Sequence, residues 1–222
     1  MSTIPYEIVG FDLDGTLLDT HGDLGAAVNH ALALAGRPAV PLAEVRGLVG
    51  GGAKKMLERA FVLTGGLPES GFAEYHAELL RFYEANIAVH TRLFPGGAQM
   101  IADLKKAGVK LAVVTNKLES LAVKLLGEMD LARHFFTIIG GDTLGAGRAK
   151  PAPDLLQEMI ARGGGGRTAY VGDTTYDTLA AEAAKIPCVA VSFGFNDLPP
   201  DRLGAAAVID HYDELVPALM RL

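Results

Sequence analysis

Apolar residues dominate positions 6–11 (Tyr-Glu-Ile-Val-Gly-Phe) and give way abruptly to Asp12-Leu13-Asp14-Gly15-Thr16. The pattern predicts a short, mostly buried strand ending on acidic residues. Carboxylates at the end of a buried strand are costly unless they serve a purpose, because that setting desolvates them. From Asp23 the rhythm changes to helical spacing. Leu24, Val28, Ala31, Leu32 and Ala35 recur every three or four positions, and Gly36-Arg37-Pro38 ends the run. Residues 41–49 suit a short helix and Gly50-Gly51-Gly52 a loop. Residues 53–63 form an amphipathic helix. Residues 72–89 form a longer one, with Tyr75, Leu79, Phe82, Tyr83 and Ile87 along its apolar stripe.

After Phe94-Pro95-Gly96-Gly97 strands and helices alternate. Helices are expected at 98–107, 117–126, 154–161, 175–184 and 212–220. Strands are expected at 111–114, 136–139, 168–171 and 188–191, with a short edge strand at 208–209. Alternation of this kind implies an α/β fold: a parallel sheet with helices on both faces. The strand at 6–11 stands alone before the helical block and must join that sheet. The expected division is therefore a discontinuous core of residues 1–19 and 89–222, with an inserted all-helical cap of residues 20–88.

Composition narrows the partners. The chain has 222 residues, half of them apolar and 21% charged, with 20 Lys and Arg against 26 Asp and Glu. A formal charge of −6 without a basic block makes nucleic acid an unsuitable partner. No apolar run reaches the roughly 18 residues of a membrane span, and the first ten residues lack a signal-peptide pattern. The single cysteine, Cys188, excludes an internal disulfide and reads as a core side chain. The expectation is a cytoplasmic protein, monomer or homodimer, with no nucleic-acid or membrane partner.

In a parallel sheet the C-terminal strand ends share one edge, where ligands bind. Asp12 and Asp14 follow the first strand, and Thr115 and Asn116 follow the strand at 111–114. Gly172 and Asp173 follow the strand at 168–171, with Asp177 one turn into the next helix. Lys150 lies in a Pro-rich loop. Clustered carboxylates repel unless a cation joins them, and an all-oxygen set suits Mg²⁺. Each residue also has a plainer role open to it. Asp12 and Asp14 could cap a turn, Thr115 a helix N-terminus, and Asp177 could be a first-turn helix acid.

Asp12-Leu13-Asp14-Gly15-Thr16-Leu17-Leu18-Asp19-Thr20 resembles the first motif of the haloacid dehalogenase-like hydrolases. Thr115 resembles their second motif, Lys150 their third, and Gly172-Asp173-Thr174-Thr175-Tyr176-Asp177 their fourth. The helical insertion is similar to the cap of the phosphoglycolate phosphatase-like branch. The resemblance implies a Rossmann-like core and an Mg²⁺-dependent phosphatase acting on a small phosphorylated substrate. Asp12 would be the nucleophile, forming an aspartyl-phosphate, and Asp14 the general acid and base. Lys150 would hold nucleophile and phosphate. Thr115, with Gly15, Thr16 and Asn116, would bind phosphoryl oxygens. The metal would engage Asp12, the Asp14 backbone carbonyl and Asp173, with Asp177 orienting its waters. The second acid being aspartate, where the dehalogenases have tyrosine, favours phosphate chemistry.

The cap segment Arg46-Gly47-Leu48-Val49-Gly50-Gly51-Gly52 resembles the specificity loop of that branch, although Gly51 stands where Asn is usual. Arg46 and the backbone of Gly50, Gly51 and Gly52 are the expected substrate contacts, and 2-phosphoglycolate the expected substrate. A pyrophosphatase, a sugar-phosphate phosphatase and a β-phosphoglucomutase-like phosphotransferase of the same superfamily stay open. A signalling receiver fits less well, because it would carry its phosphoacceptor on a middle strand and lack the insertion.

Overall fold

The computed structural model describes residues 4–222. Six strands form one parallel sheet: β1 (Ile8–Phe11), β4 (Lys110–Val114), β5 (Thr137–Ile139), β6 (Thr168–Gly172), β7 (Cys188–Val191) and β8 (Ala207–Ile209). Their spatial order is β5-β4-β1-β6-β7-β8. β1 is thus central, as an apolar strand buried on both faces must be. Every residue of β1 is buried. Phe11 pairs with Val113 on one side and Val171 on the other. This register brings the residues after β1, β4 and β6 to the same level of one sheet edge. Helices α5 (Gly97–Lys106), α6 (Glu119–Glu128), α7 (Asp154–Arg162), α8 (Thr175–Ala183) and α9 (Leu215–Arg221) cover the sheet. Cys188 is a free thiol buried in the core.

The helical insertion between β1 and β4 contains α1 (His21–Leu34), α2 (Leu42–Val45), α3 (Ala53–Leu63) and α4 (Phe72–Ala85). The segment expected to be one helix at 41–49 splits: α2 stops at Val45 and a 3-10 turn spans Arg46–Leu48. The long helix ends at Ala85, four residues early, because the Asn86 side chain turns back to donate to the Phe82 carbonyl. The helix expected from 117 starts at Glu119, since Leu118 is extended. That correction matters, because it leaves Lys117 in the loop at the sheet edge.

A feature absent from the sequence expectation is a two-stranded antiparallel ribbon, β2 (Leu18–Asp19) with β3 (Arg92–Leu93). Two-residue strands carry no readable period. The ribbon carries the chain into and out of the insertion. It is reinforced by Asp23, which is 2% exposed. The Asp23 carboxylate accepts from the His90 amide (2.9 and 3.0 Å), the Thr91 amide (2.9 Å) and the Thr91 hydroxyl (2.7 Å). No helix among the described residues is long and apolar enough to cross a membrane.

Candidate active site

The sheet register delivers Asp12 next to Lys150. Lys150 Nζ lies 3.0 Å from Asp12 Oδ1 and 2.5 Å from Asp177 Oδ1. It also donates to the Tyr170 hydroxyl (2.8 Å) and the Val114 carbonyl (3.1 Å). Its ammonium is essentially buried. Burial alone would lower its pKa, but Asp12 and Asp177 together outweigh that and raise it. Lys150 is therefore a fixed positive charge. Tyr170 completes the cage by donating to the Val114 carbonyl at 2.6 Å. Sequence reasoning passed over Tyr170 because an aromatic on an apolar strand reads as core.

Asp12, Asp173 and Asp177 each present an oxygen within 4.8 Å of the other two. Burial raises the Asp12 pKa from 3.8 to about 6, against the pull of Lys150. Burial, then the charges of Asp177 and Asp12, raises Asp173 well above the ordinary carboxylate range. Asp12 Oδ1 accepts no well-angled hydrogen bond from any neighbour. A buried carboxylate oxygen whose close cation is the Lys150 ammonium at 3.0 Å, beside two further acids, leaves more negative charge than one lysine balances and fits a hard divalent cation. The triad is able to hold a metal. Asp177 is the most occupied of the three: its Oδ2 accepts from the amides of Asp173 (3.2 Å) and Thr174 (3.0 Å) and from the Thr174 hydroxyl (2.8 Å). Asp177 thus serves as a first-turn helix acid and also stands in the triad.

Asp14 is outside the triad. Its carboxylate receives Lys117 Nζ at 2.9 and 2.7 Å and the Thr20 hydroxyl at 2.8 Å. Lys117 also sits 4.6 Å from the centre of the Tyr83 ring on α4. Burial pushes the Tyr83 hydroxyl up to about 12. Lys117 is a cavity-lining side chain, paired with Asp14, that sequence reasoning missed. The available signal was its place two residues beyond Thr115 on the ligand edge.

A cavity of about 640 Å³ opens above these groups. Asp12, Asp14, Thr115, Asn116, Lys117, Lys150 and Asp173 line it from the core, and Gly50, Gly51 and Gly52 line it from the insertion. Asn116 donates to the Lys150 carbonyl at 2.9 Å, which ties the two loops together. Gly15 and Thr16 lie beneath rather than on the wall. The Thr16 hydroxyl donates to Asp173 Oδ1 at 3.0 Å. Gly15 has φ 84°, and a Cβ there would fall 2.2 Å from Asp173 Oδ2, so only glycine lets the turn pass. Arg46 is not among the lining residues. Its guanidinium pairs with Asp19 Oδ2 at 3.1 Å and lies 5.6 Å from the Phe195 ring centre. Asp19 also pairs with His21.

Comparison with known proteins agrees with this geometry. The profile of the family described as "Haloacid dehalogenase-like hydrolase" matches residues 9–191. The chain belongs to that family. It is 40% identical over 212 residues to the phosphoglycolate phosphatase of Agrobacterium fabrum, covering 94% of this chain and 90% of the relative. It is 40% identical over 219 residues to that of Caulobacter vibrioides, covering 96% and 91%. The crystal structure of a predicted phosphoglycolate phosphatase from Haemophilus somnus superposes with a TM-score of 0.89 at 26% identity, covering 96% of this chain and 97% of that one. The protein is a phosphoglycolate phosphatase-like member of the family, and the six-stranded core with its helical cap is the family's architecture.

Proposed function

We propose that the enzyme hydrolyses 2-phosphoglycolate with Mg²⁺ as its cation. The observation that carries the chemistry is the Asp12–Lys150 pair at 3.0 Å on the floor of the cavity, beside Asp173 and Asp177. An Asp12 carboxylate oxygen attacks phosphorus, and the phosphorus–oxygen bond to the leaving alcohol breaks. Asp14 gives its proton to that alcohol oxygen. It then takes a proton from the water that attacks phosphorus and releases Asp12. Lys150 and the Thr115 hydroxyl stabilise the charge developing on the phosphoryl oxygens. When bound, Mg²⁺ supplies charge neutralisation at the same oxygens, held by Asp12 and Asp173, with Asp177 oriented behind them.

The substrate assignment draws on the roughly 40% identity to phosphoglycolate phosphatases over most of each chain. Arg46 is engaged by Asp19 and does not line the cavity, whereas Lys117, paired with Asp14, lines it from the core and Lys54 and Lys55 line it from the insertion, so these are the cations within reach of a substrate carboxylate. Residues 20–88 act as a cap that swings on the β2–β3 ribbon and closes over the site. A second reading, a sugar-phosphate phosphatase, is favoured by one observation. About 640 Å³ is far more than a two-carbon ester fills, and it lies within the range of about 300–1,000 Å³ typical of drug-sized ligands. Phosphate release across 2-phosphoglycolate, hexose phosphates and pyrophosphate decides between them. A kcat/KM for phosphoglycolate tenfold above the others supports the first reading, and a tenfold preference for a hexose phosphate replaces it.

A further inference from the structure

Behind the acid triad the chain after β7 makes a compact loop, Gly194-Phe195-Asn196, whose contacts converge on Asp173. The Phe195 amide donates to Asp173 Oδ2 at 2.7 Å. The Asn196 side-chain amide donates to the Asp173 backbone carbonyl at 2.7 Å and to the Val191 carbonyl at 2.9 Å. Asn196 thus pins the end of β7 to the loop that follows β6. Gly194 is required by space, since a Cβ there would fall 2.4 Å from Asp173 Cβ and 2.6 Å from the Gly15 carbonyl oxygen. With Thr16 holding Oδ1, both oxygens of Asp173 have a donor fixed by a different loop.

The Phe195 ring looks the other way. It lines the cavity, lies 6.3 Å from the His21 ring in an edge-on arrangement, and 5.6 Å from the Arg46 guanidinium. His21 and Arg46 both reach Asp19 at the hinge ribbon. One residue therefore fixes an acid of the triad through its amide and touches the entry of the cap through its ring.

We infer that residues 194–196 are a positioning element for Asp173, and that the Phe195 ring couples cation binding at the triad to the Arg46–Asp19 contact of the cap. The positioning half follows from donor geometry. A carboxylate whose oxygens are each held by one donor keeps its remaining lone pairs aimed at the cation site, and loss of such outer partners typically weakens metal binding by 10- to 100-fold. The coupling half follows from linkage. If cap contacts shift Phe195, they shift the donor to Asp173, and the reciprocal effect must equal it. This inference rests on the acid triad holding a cation but not on the choice of substrate.

The test is Mn²⁺ titration of metal-free protein, read by the electron paramagnetic resonance of the free ion, with thermal unfolding alongside. No substrate is present, so a wrong substrate assignment cannot affect the result. Asn196→Ala should weaken Mn²⁺ binding by about 10-fold or more. Asn196→Gln keeps the amide but displaces it by one methylene, and should fall between wild type and alanine. Thr178→Val removes a buried bond to the Leu203 carbonyl, and should lower Tm while leaving Mn²⁺ binding within about twofold. A folded Asn196→Ala with wild-type affinity overturns the positioning role. If that variant does not fold, wild-type affinity in Asn196→Gln does the same. For the coupling, Arg46→Ala should weaken Mn²⁺ binding in the wild-type background and have no further effect in Phe195→Leu. Equal effects in both backgrounds, or none in either, overturn it.

Discussion

Lys117 Nζ lies 2.7 Å from Asp14 Oδ2, across 103 positions of sequence, and joins the proposed acid–base residue to the ligand edge of β4. The same ammonium faces the ring of Tyr83 from the cap. Asp14 thus has one partner from the core, one from the hinge at Thr20, and a cap residue close behind. If the substrate carries a carboxylate, exchange of Lys117 from Asp14 to that carboxylate would free Asp14 for the proton transfer proposed for it.

Lys117→Met should therefore lower kcat/KM for 2-phosphoglycolate by roughly 10- to 150-fold more than for a neutral aryl phosphate. That range corresponds to a charge-assisted hydrogen bond worth about 1.5–3 kcal/mol. Steady-state kinetics on both substrates check it. Equal losses on the two would assign Lys117 to Asp14 alone.

Asp12 links catalysis to stability. Its pKa is raised by burial from 3.8 to about 6, so in metal-free protein its favourable contribution is complete below pH 3.8 and is lost as pH rises through about 6. Above that the buried carboxylate costs at most about 3 kcal/mol. Asp12→Asn should abolish turnover yet raise the Tm of metal-free protein near neutral pH by roughly 3–8 °C, with the gap closing near pH 4. Thermal melts in chelator across that range check the sign. A mutant no more stable than wild type at neutral pH contradicts it.

The triad predicts a metal requirement. Chelator should remove activity and Mg²⁺ restore it. Ca²⁺ should inhibit, because it takes more ligands at longer distances and draws Asp12 away from in-line attack. Full turnover in excess chelator would count against the site as described.

Asp23 predicts a stability effect far from the chemistry. Asp23→Ala leaves the amides of His90 and Thr91 without their buried acceptor. The cost is about 2–4 kcal/mol, or a fall in Tm of roughly 5–15 °C. Denaturant unfolding measures it, and a change under about 0.5 kcal/mol would show that the ribbon does not depend on this clasp.

The parallel sheet was legible because its strands are mostly apolar and alternate with helical segments, and those at Ile8–Phe11, Lys110–Val114 and Thr168–Gly172 run into polar residues at the ligand edge. Asp12, Asp14, Thr115, Asp173 and Asp177 were readable as candidates from that edge and Lys150 from its loop, while the roles expected of them came from the family resemblance. The ribbon at Leu18–Asp19 and Arg92–Leu93 was not, since two residues define no period. Lys117 was hidden by its neighbours: the helical pattern downstream extends back over it, and only the extended backbone of Leu118 releases it into the loop. Arg46 has a partner that the sequence did not reveal. A loop cation suggests a ligand contact, yet Asp19 lies 27 positions earlier in sequence and 3.1 Å away in space. Asn196 had no sequence signal, because its partners are two backbone carbonyls, and every residue offers one of those.

Asp12 is proposed to carry the phosphoryl group during turnover. Rapid acid quench of enzyme mixed with ³²P-labelled 2-phosphoglycolate, followed by peptide mapping, tests it most directly. Transient label is expected on the peptide containing Asp12, appearing and decaying within one turnover and absent from Asp12→Asn. Turnover with no protein-bound phosphorus at any time, or label on another peptide, would contradict it.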